Sequence, residues 1–521
     1  VKFHLDFDDE KYAYSDVVSS LDGVTYARVT NLFDFSDINR YSGRGDNSVE
    51  YYDRDNWAAV SMDIENGAVQ LSLTEQMVRE MYAQVPEGVG KYTMDNQIPQ
   101  AYSQPIPQDD GEYPTYGQSA GLMLVDMRVD DNGDPISFFD PLWDTFLDQL
   151  TWEETVLLCS NGAHLTEAIA SIAKPETNDE NGPNGFGGWA LKNGYYTNNT
   201  GLAYRMEAAA GHVDAEGNLT ADADQDGYKK PTGFPANGIL AAAMNKTLSY
   251  EVGQIIGEDG IWSGCSNLYG LGLNIHRSPY LGRTCEYYSE DAMLTGLVGA
   301  EETKGIEEHG VHVLNKHCAL NDQEDNRHGV CGWISEQALR ENYLRAFELP
   351  ITEGGAFGTM ASFSRFGTFS GAACKELGTD FLRGECGMKG FIVTDAYGDM
   401  DGSQSVNPYF EQAYGTFVGG SDLPDGAGPK TDNHFVKFEE GYSEMAWAMR
   451  LAAKRILFSV AHSSAMNGIS STTTVVPITP WWQTALYVAD GVLCALFAAS
   501  MIWTAAALVQ EYRGKRKTVR N

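Results

Sequence analysis

Residues 387–400 read GMKGFIVTDAYGDM, an apolar burst that ends abruptly in a carboxylate and a glycine turn. Phe391, Ile392 and Val393 form a short aromatic and β-branched run bounded by Gly390 and Gly398, which predicts a buried parallel strand. Asp395 then stands at the strand's carboxyl end. In a barrel of parallel strands that rim carries the chemistry, because the loops leaving the strands are built there. The same position also suits an aspartate that caps the next helix.

Outward from this stretch, helical and apolar segments alternate. Residues 248–262, 291–309, 335–349 and 377–386 carry helical patterning; 269–275, 311–316 and 357–361 read as strands. Such alternation implies a parallel sheet, and the length favours closure, so the expected class is α/β with a (β/α)8 TIM-like barrel over residues 136–468. Residues 140–159 predict two helices, the second opened by Thr151 with Glu154 three residues on, a capping-box spacing. A last short strand over 416–423 and a long amphipathic helix over 441–461 complete the barrel's reading.

Residues 1–135 form an irregular connector, polar and rich in Tyr, Asp, Ser and Gly, with strand-like runs only at 68–73 and 122–127. Residues 98–114 hold too much proline for a helix interior or a central strand. DADQDG at 222–227 imitates the start of a calcium loop, but its twelfth position is Gly233 where an acid is needed, so it reads as a solvated acidic loop. Residues 464–480 are rich in Ser, Thr and Pro, and 469–483 are assigned as a stalk. Residues 484–510 form a transmembrane helix, with Trp481 and Trp482 before it and Arg513, Lys515, Arg516, Lys517 and Arg520 in the tail, 511–521. The basic tail places that end in the cytoplasm and the rest of a single-pass cell-membrane protein outside.

A net charge of −36 argues against nucleic acid and anionic surfaces as partners and favours a neutral ligand. The 27 Tyr and 10 Trp suit stacking on sugar faces, although any one is better read as core. Eight scattered cysteines show no metal-binding spacing, so neither a metal nor another cofactor is expected.

Four short motifs fall after predicted strands: NGPNG at 181–185, GRTCEYYSED at 282–291, NKHCALNDQEDNR at 315–327, and the opening stretch. With GLGLNIHRSPYLGR, SEQALRENYLRAFELPI and LRGECGMKGFIVTD, they resemble the barrel domain of glycoside hydrolase family 3 over about residues 140–468. The resemblance implies a retaining β-glycosidase, most simply a β-glucosidase. Asp395 matches its nucleophile, and Asn181, Arg283, Lys316, His317 and Met360 match its substrate-binding residues. It also implies the reversed domain order, with an α/β sandwich upstream of Val1 supplying the general acid/base. Asn181 departs from the family's usual Asp, and Ser364 from its usual Asn. Asp325 and His328 occupy the general region of the acid/base His of the family's N-acetylglucosaminidases, but a structural loop is the plainer reading, and Glu324 reads equally as an ion-pair partner. A binding protein without catalysis, and a β-N-acetylglucosaminidase or β-xylosidase, stand as alternatives.

Overall fold

Five short strands lie side by side in the order in which the chain makes them: β1 (Asp179–Asn181), β2 (Asn267–Tyr269), β3 (His312–Cys318), β4 (Gly358–Ala361) and β5 (Ile392–Thr394). All pairings are parallel, with Asn181 opposite Tyr269, Asn267 opposite His312, Asn315 opposite Thr359, and Met360 opposite Val393. The computed structural model describes residues 17–18, 25–26, 32–37, 111–160, 162, 164–186, 232–278, 281–324, 327, 330–367, 369–395, 417, 419–423, 443–475 and 481–518. The calcium-like loop, the 68–73 run, Asp325, His328 and most of the connector, including nearly all of 98–114, lie outside them.

Helices fill the crossovers, as parallel pairing requires. After α1 (Trp152–Ser160), α2 (Lys246–Ser263) follows β1, α3 (Ala292–Glu307) follows β2, and α4 (Arg345–Thr352) follows β3. A π-helical segment, Glu376–Glu385, leads into β5, and α5 (Ser443–Ala461) comes later. The result is a half-barrel sheet in an α/β fold. Beyond β5 a single parallel bridge, Val393 to Leu423, carries the sheet one position further.

The strands' two-residue period sorts their side chains into two cores. Leu268, Val313, Ala361 and Ile392 pack with Ile256, Val298, Ile306 and Leu344 from the crossover helices. Tyr269, Leu314, Met360 and Val393 pack with Trp143, Phe146, Leu158, Met449 and Ile456. On the first side α2 and α3 approach closely at glycines: a Cβ on Gly253 would meet the Glu302 carbonyl at 2.1 Å, and one on Gly305 the Tyr250 carbonyl at 2.4 Å. Asn245 and Asp291 cap the two helices through the amides of Leu248 and Leu294. Phe33, from the amino-terminal region, is fully buried against Phe366 and Phe381.

The capping box forms as expected, with the Thr151 amide donating to Glu154 Oε2 at 2.9 Å and the Glu154 amide to Thr151 Oγ1 at 3.2 Å. Two strand expectations are corrected. Over 122–127 the chain makes a 3₁₀ turn, Leu124–Met127, which buries Leu124 and Met127 on one side while Asp126 binds the Met123 amide. Over 416–423, residues 417 and 419 are helical, and Gly420, at φ +98°, turns the chain, so that among the described residues Asp422 and Leu423 bond β5 and Leu423 makes the bridge to Val393.

Beneath that turn lies a buried ionic cluster. Asp422 accepts from Arg383, from Arg455 Nη1 at 2.8 Å and from the Ile392 amide at 2.8 Å. All three charged side chains are at most 3% exposed, so the cluster fixes the start of β5 in a dry setting.

Residues Val476–Asn521 form a separate unit built on α6 (Trp481–Thr518). Its Ala485–Val509 portion is long and apolar enough to cross a membrane, with mean hydropathy 2.2.

Candidate active site

Parallel strands bring their carboxyl ends to one rim, and the predicted residues gather there. Asn181 ends β1, Lys316 and His317 lie near the end of β3, and Asp395 follows β5 directly. The Asp395 amide donates to the Ala361 carbonyl at 3.1 Å, which ties the acid's backbone to the end of β4. Its side chain is 16% exposed, and Oδ2 stands 3.7 Å from His317 Nε2.

His317 is held from both sides. Its amide donates to Asn274 Oδ1 at 2.7 Å, its carbonyl accepts from Asn274 Nδ2 at 2.9 Å, and the Tyr287 hydroxyl lies 3.4 Å from Nδ1. Burial pushes its pKa well below the ordinary imidazole value, and the charges of Arg283, Lys316 and Arg327 push it further down. His317 is therefore a neutral imidazole facing a carboxylate.

Lys316 projects toward β1, where Nζ donates to Asn181 Oδ1 at 3.1 Å. The same ammonium stands 3.9 Å from Glu286 Oε2, and Glu286 accepts from Arg283 Nε. Arg283 Nη1 is 3.7 Å from Glu324 Oε1. Glu324 in turn accepts from Arg327 Nη1 at 2.8 Å and Asn321 Nδ2 at 3.2 Å. From Lys316 to Arg327 the rim is thus a chain of alternating charges, with cationic donors held rigid by carboxylates behind them.

Met360 is placed differently from these polar groups. It is 2% exposed and packs in the apolar cluster with Leu314 and Val393, beneath the rim. Ser362 donates to the Ala319 carbonyl, and the Arg327 guanidinium covers the Phe363 ring.

Sequence reasoning passed over Glu286, Tyr287 and Asn274, although all three lie within the quoted motifs. Their signal was a polar residue inside an otherwise apolar or aromatic run. It passed over His164 altogether. That residue is 5% exposed, its ring sits 4.9 Å from the Tyr269 ring, and its Nε2 is 3.4 Å from Asn181 Nδ2.

The sequence model described as "Glycosyl hydrolase family 3 N terminal domain" matches residues 212–424. Beta-glucosidase A of Butyrivibrio fibrisolvens is 34% identical over 197 residues, 38% of this chain and 22% of that protein. The exo-alpha-(1->6)-L-arabinopyranosidase of Bifidobacterium longum is 31% identical over 259 residues, 50% of this chain and 31% of that protein. A beta-glucosidase structure from Paenibacillus barengoltzii superposes with TM-score 0.52 at 23% identity, covering 76% of this chain and 40% of that one, a likeness of fold. The chain therefore spans less than a third of the length of either curated relative. Over residues 212–424 the chain is similar to the glycosyl hydrolase family 3 N-terminal domain, and these relatives are glycoside hydrolases by name.

Proposed function

We propose that the chain supplies the nucleophile side of a retaining β-glycosidase, most simply a β-glucosidase acting on neutral oligosaccharides or glycosides. The observation that carries this reading is the meeting of Lys316 and His317 from β3 with Asp395 from β5 at one rim of a parallel sheet. The names of relatives such as the Butyrivibrio beta-glucosidase support it.

In this reading Asp395 attacks the anomeric carbon as the bond to the leaving oxygen breaks, and a glycosyl ester forms. Water then attacks that carbon, giving its proton to the acid/base group left deprotonated by the first step, while the ester bond returns its electrons to Asp395. Lys316, Arg283 and Asn181 hold glycone hydroxyls. The charged donors among them, Lys316 and Arg283, fix the ring's orientation against Asp395. Neutral His317 offers a hydrogen bond without cancelling the nucleophile's charge.

The leaving oxygen needs a proton from a second carboxyl about 5 to 5.5 Å from the first. Glu324 does not fit the part, since Arg283, Arg327 and Asn321 engage its oxygens. We assign the acid/base to a separate segment, in keeping with the α/β sandwich that the family resemblance implies. Further strands close the half-barrel toward a (β/α)8 form, and α6 anchors the protein in the membrane with its catalytic part outside.

The test is turnover of dinitrophenyl β-glucoside, whose leaving group needs little protonation. The first-formed sugar, followed by proton NMR, emerges as the β-anomer. Release of the α-anomer overturns the retaining assignment.

A further inference from the structure

Asn181 has a choice of two amide orientations, and its neighbours decide between them. Lys316 Nζ carries only donors and lies 3.1 Å from one end of the amide, so that end must be the oxygen. The nitrogen then faces His164 Nε2 at 3.4 Å. Because Nδ2 carries only hydrogens, Nε2 must be the lone-pair nitrogen of a neutral imidazole. With Nε2 so committed, the ring's proton stands on Nδ1.

The surroundings hold His164 in this pose. Its backbone takes the left-handed conformation, φ +54°, which a non-glycine residue adopts at a cost. The Asp179 amide donates to its carbonyl at 2.9 Å, its own amide donates to the Gly162 carbonyl at 2.7 Å, and the ring packs on Tyr269. These contacts tie His164 to β1 and β2, the strands that set Asn181 at the rim. The imidazole is buried while Asn181 is exposed, so the histidine acts from behind the pocket and the amide meets what enters it.

We propose that His164 is a positioning residue for the pocket: as a neutral acceptor it locks the Asn181 amide with its oxygen toward Lys316, and it matches an uncharged side chain at position 181. Only the sugar-binding half of this inference rests on the proposed function. Burial lowers the His164 pKa to about 4, the Asp179 backbone opposes that shift, and the charge of Lys316 adds to it. A carboxylate at 181 reverses the logic, because it accepts and draws a proton onto Nε2.

The experiment is histidine C2 hydrogen–deuterium exchange on the full chain in detergent, read by mass spectrometry on the peptide that contains His164. The wild type titrates below pH ~5, and Asn181→Asp raises the midpoint by at least about one unit, a roughly tenfold change in proton affinity. An unchanged midpoint overturns the contact. His164→Phe keeps the stacking on Tyr269 but removes the acceptor, and His164→Gln restores an acceptor. Glucose affinity, measured by calorimetry, falls about tenfold in the first and recovers in the second while thermal unfolding stays the same. Wild-type affinity in His164→Phe overturns the positioning role. If the wild-type chain binds no glucose, the proposed function fails, and the exchange midpoint still decides the His164–Asn181 pairing.

Discussion

Lys316 Nζ donates to Asn181 Oδ1 at 3.1 Å, joining the carboxyl ends of β3 and β1 across the intervening β2. A buried ammonium that reaches a rim-exposed amide is a ready donor to a sugar hydroxyl. Lys316→Ala removes a charge-assisted donor worth roughly 1.5–3 kcal/mol, so kcat/KM falls about ten- to hundredfold. Asn181→Ala loses less, because a neutral partner goes. Steady-state kinetics on an activated aryl glucoside measure both.

The Asp422 cluster yields a stability prediction. Asp422→Asn leaves Arg383 and Arg455 buried without their carboxylate, at most 3% exposed. Breaking one side of a buried ion pair costs roughly 3–5 kcal/mol. Calorimetry should show unfolding about 5 °C lower, with loss of β5 order. A shift within about 2 °C would mean that the cluster contributes little.

Glu302 gives the protein a pH-dependent term. Burial raises its pKa from 4.5 to about 8, while the Tyr288 hydroxyl, donating at 2.6 Å, pulls the other way. The folded value lies above the unfolded one, so this contribution is complete below 4.5 and is lost as pH rises through about 8. Glu302→Gln keeps an acceptor for Tyr288 and cannot ionise. Its melting temperature relative to the wild type should rise between pH 5 and 9; a constant difference would remove Glu302 from the pH response.

The carboxyl-terminal unit makes a separate prediction. Ala485–Val509 has the length and hydropathy of a membrane span, and a basic tail follows it. A chain lacking residues 484–521 should leave the membrane fraction for the soluble one after ultracentrifugation. Retention in the membrane would contradict the anchor reading.

Much of the sheet is legible in the sequence because hydrophobic periodicity marks it. The 311–316 and 391–393 runs fall on β3 and β5, and the helix patterns at 248–262 and 291–309 fall on α2 and α3. β1 and β2 are the exceptions: no strand is read over 179–181, and the second is misplaced. The apolar run begins at Tyr269, yet the strand is Asn267–Tyr269, held in part by Asn267 Nδ2 donating to the buried Asp179 at 2.6 Å. Polar pairing of that kind leaves no hydropathy signal. Glu302 likewise reads as a surface acid on a helix until Tyr288 is found beside it. The motifs drew attention to Arg283, Lys316, His317 and Asp395, but the residue behind Asn181, His164, belongs to no motif and comes into view only through its distances.

The central claim is that Asp395 is the nucleophile, and a slow fluorosugar bearing a dinitrophenolate leaving group tests it most directly. Incubated with the full chain, and with the sandwich domain of a relative added if needed, it should leave one glycosyl adduct on the peptide containing Asp395, absent from Asp395→Asn. An adduct on another carboxylate, or none while turnover persists, contradicts the account.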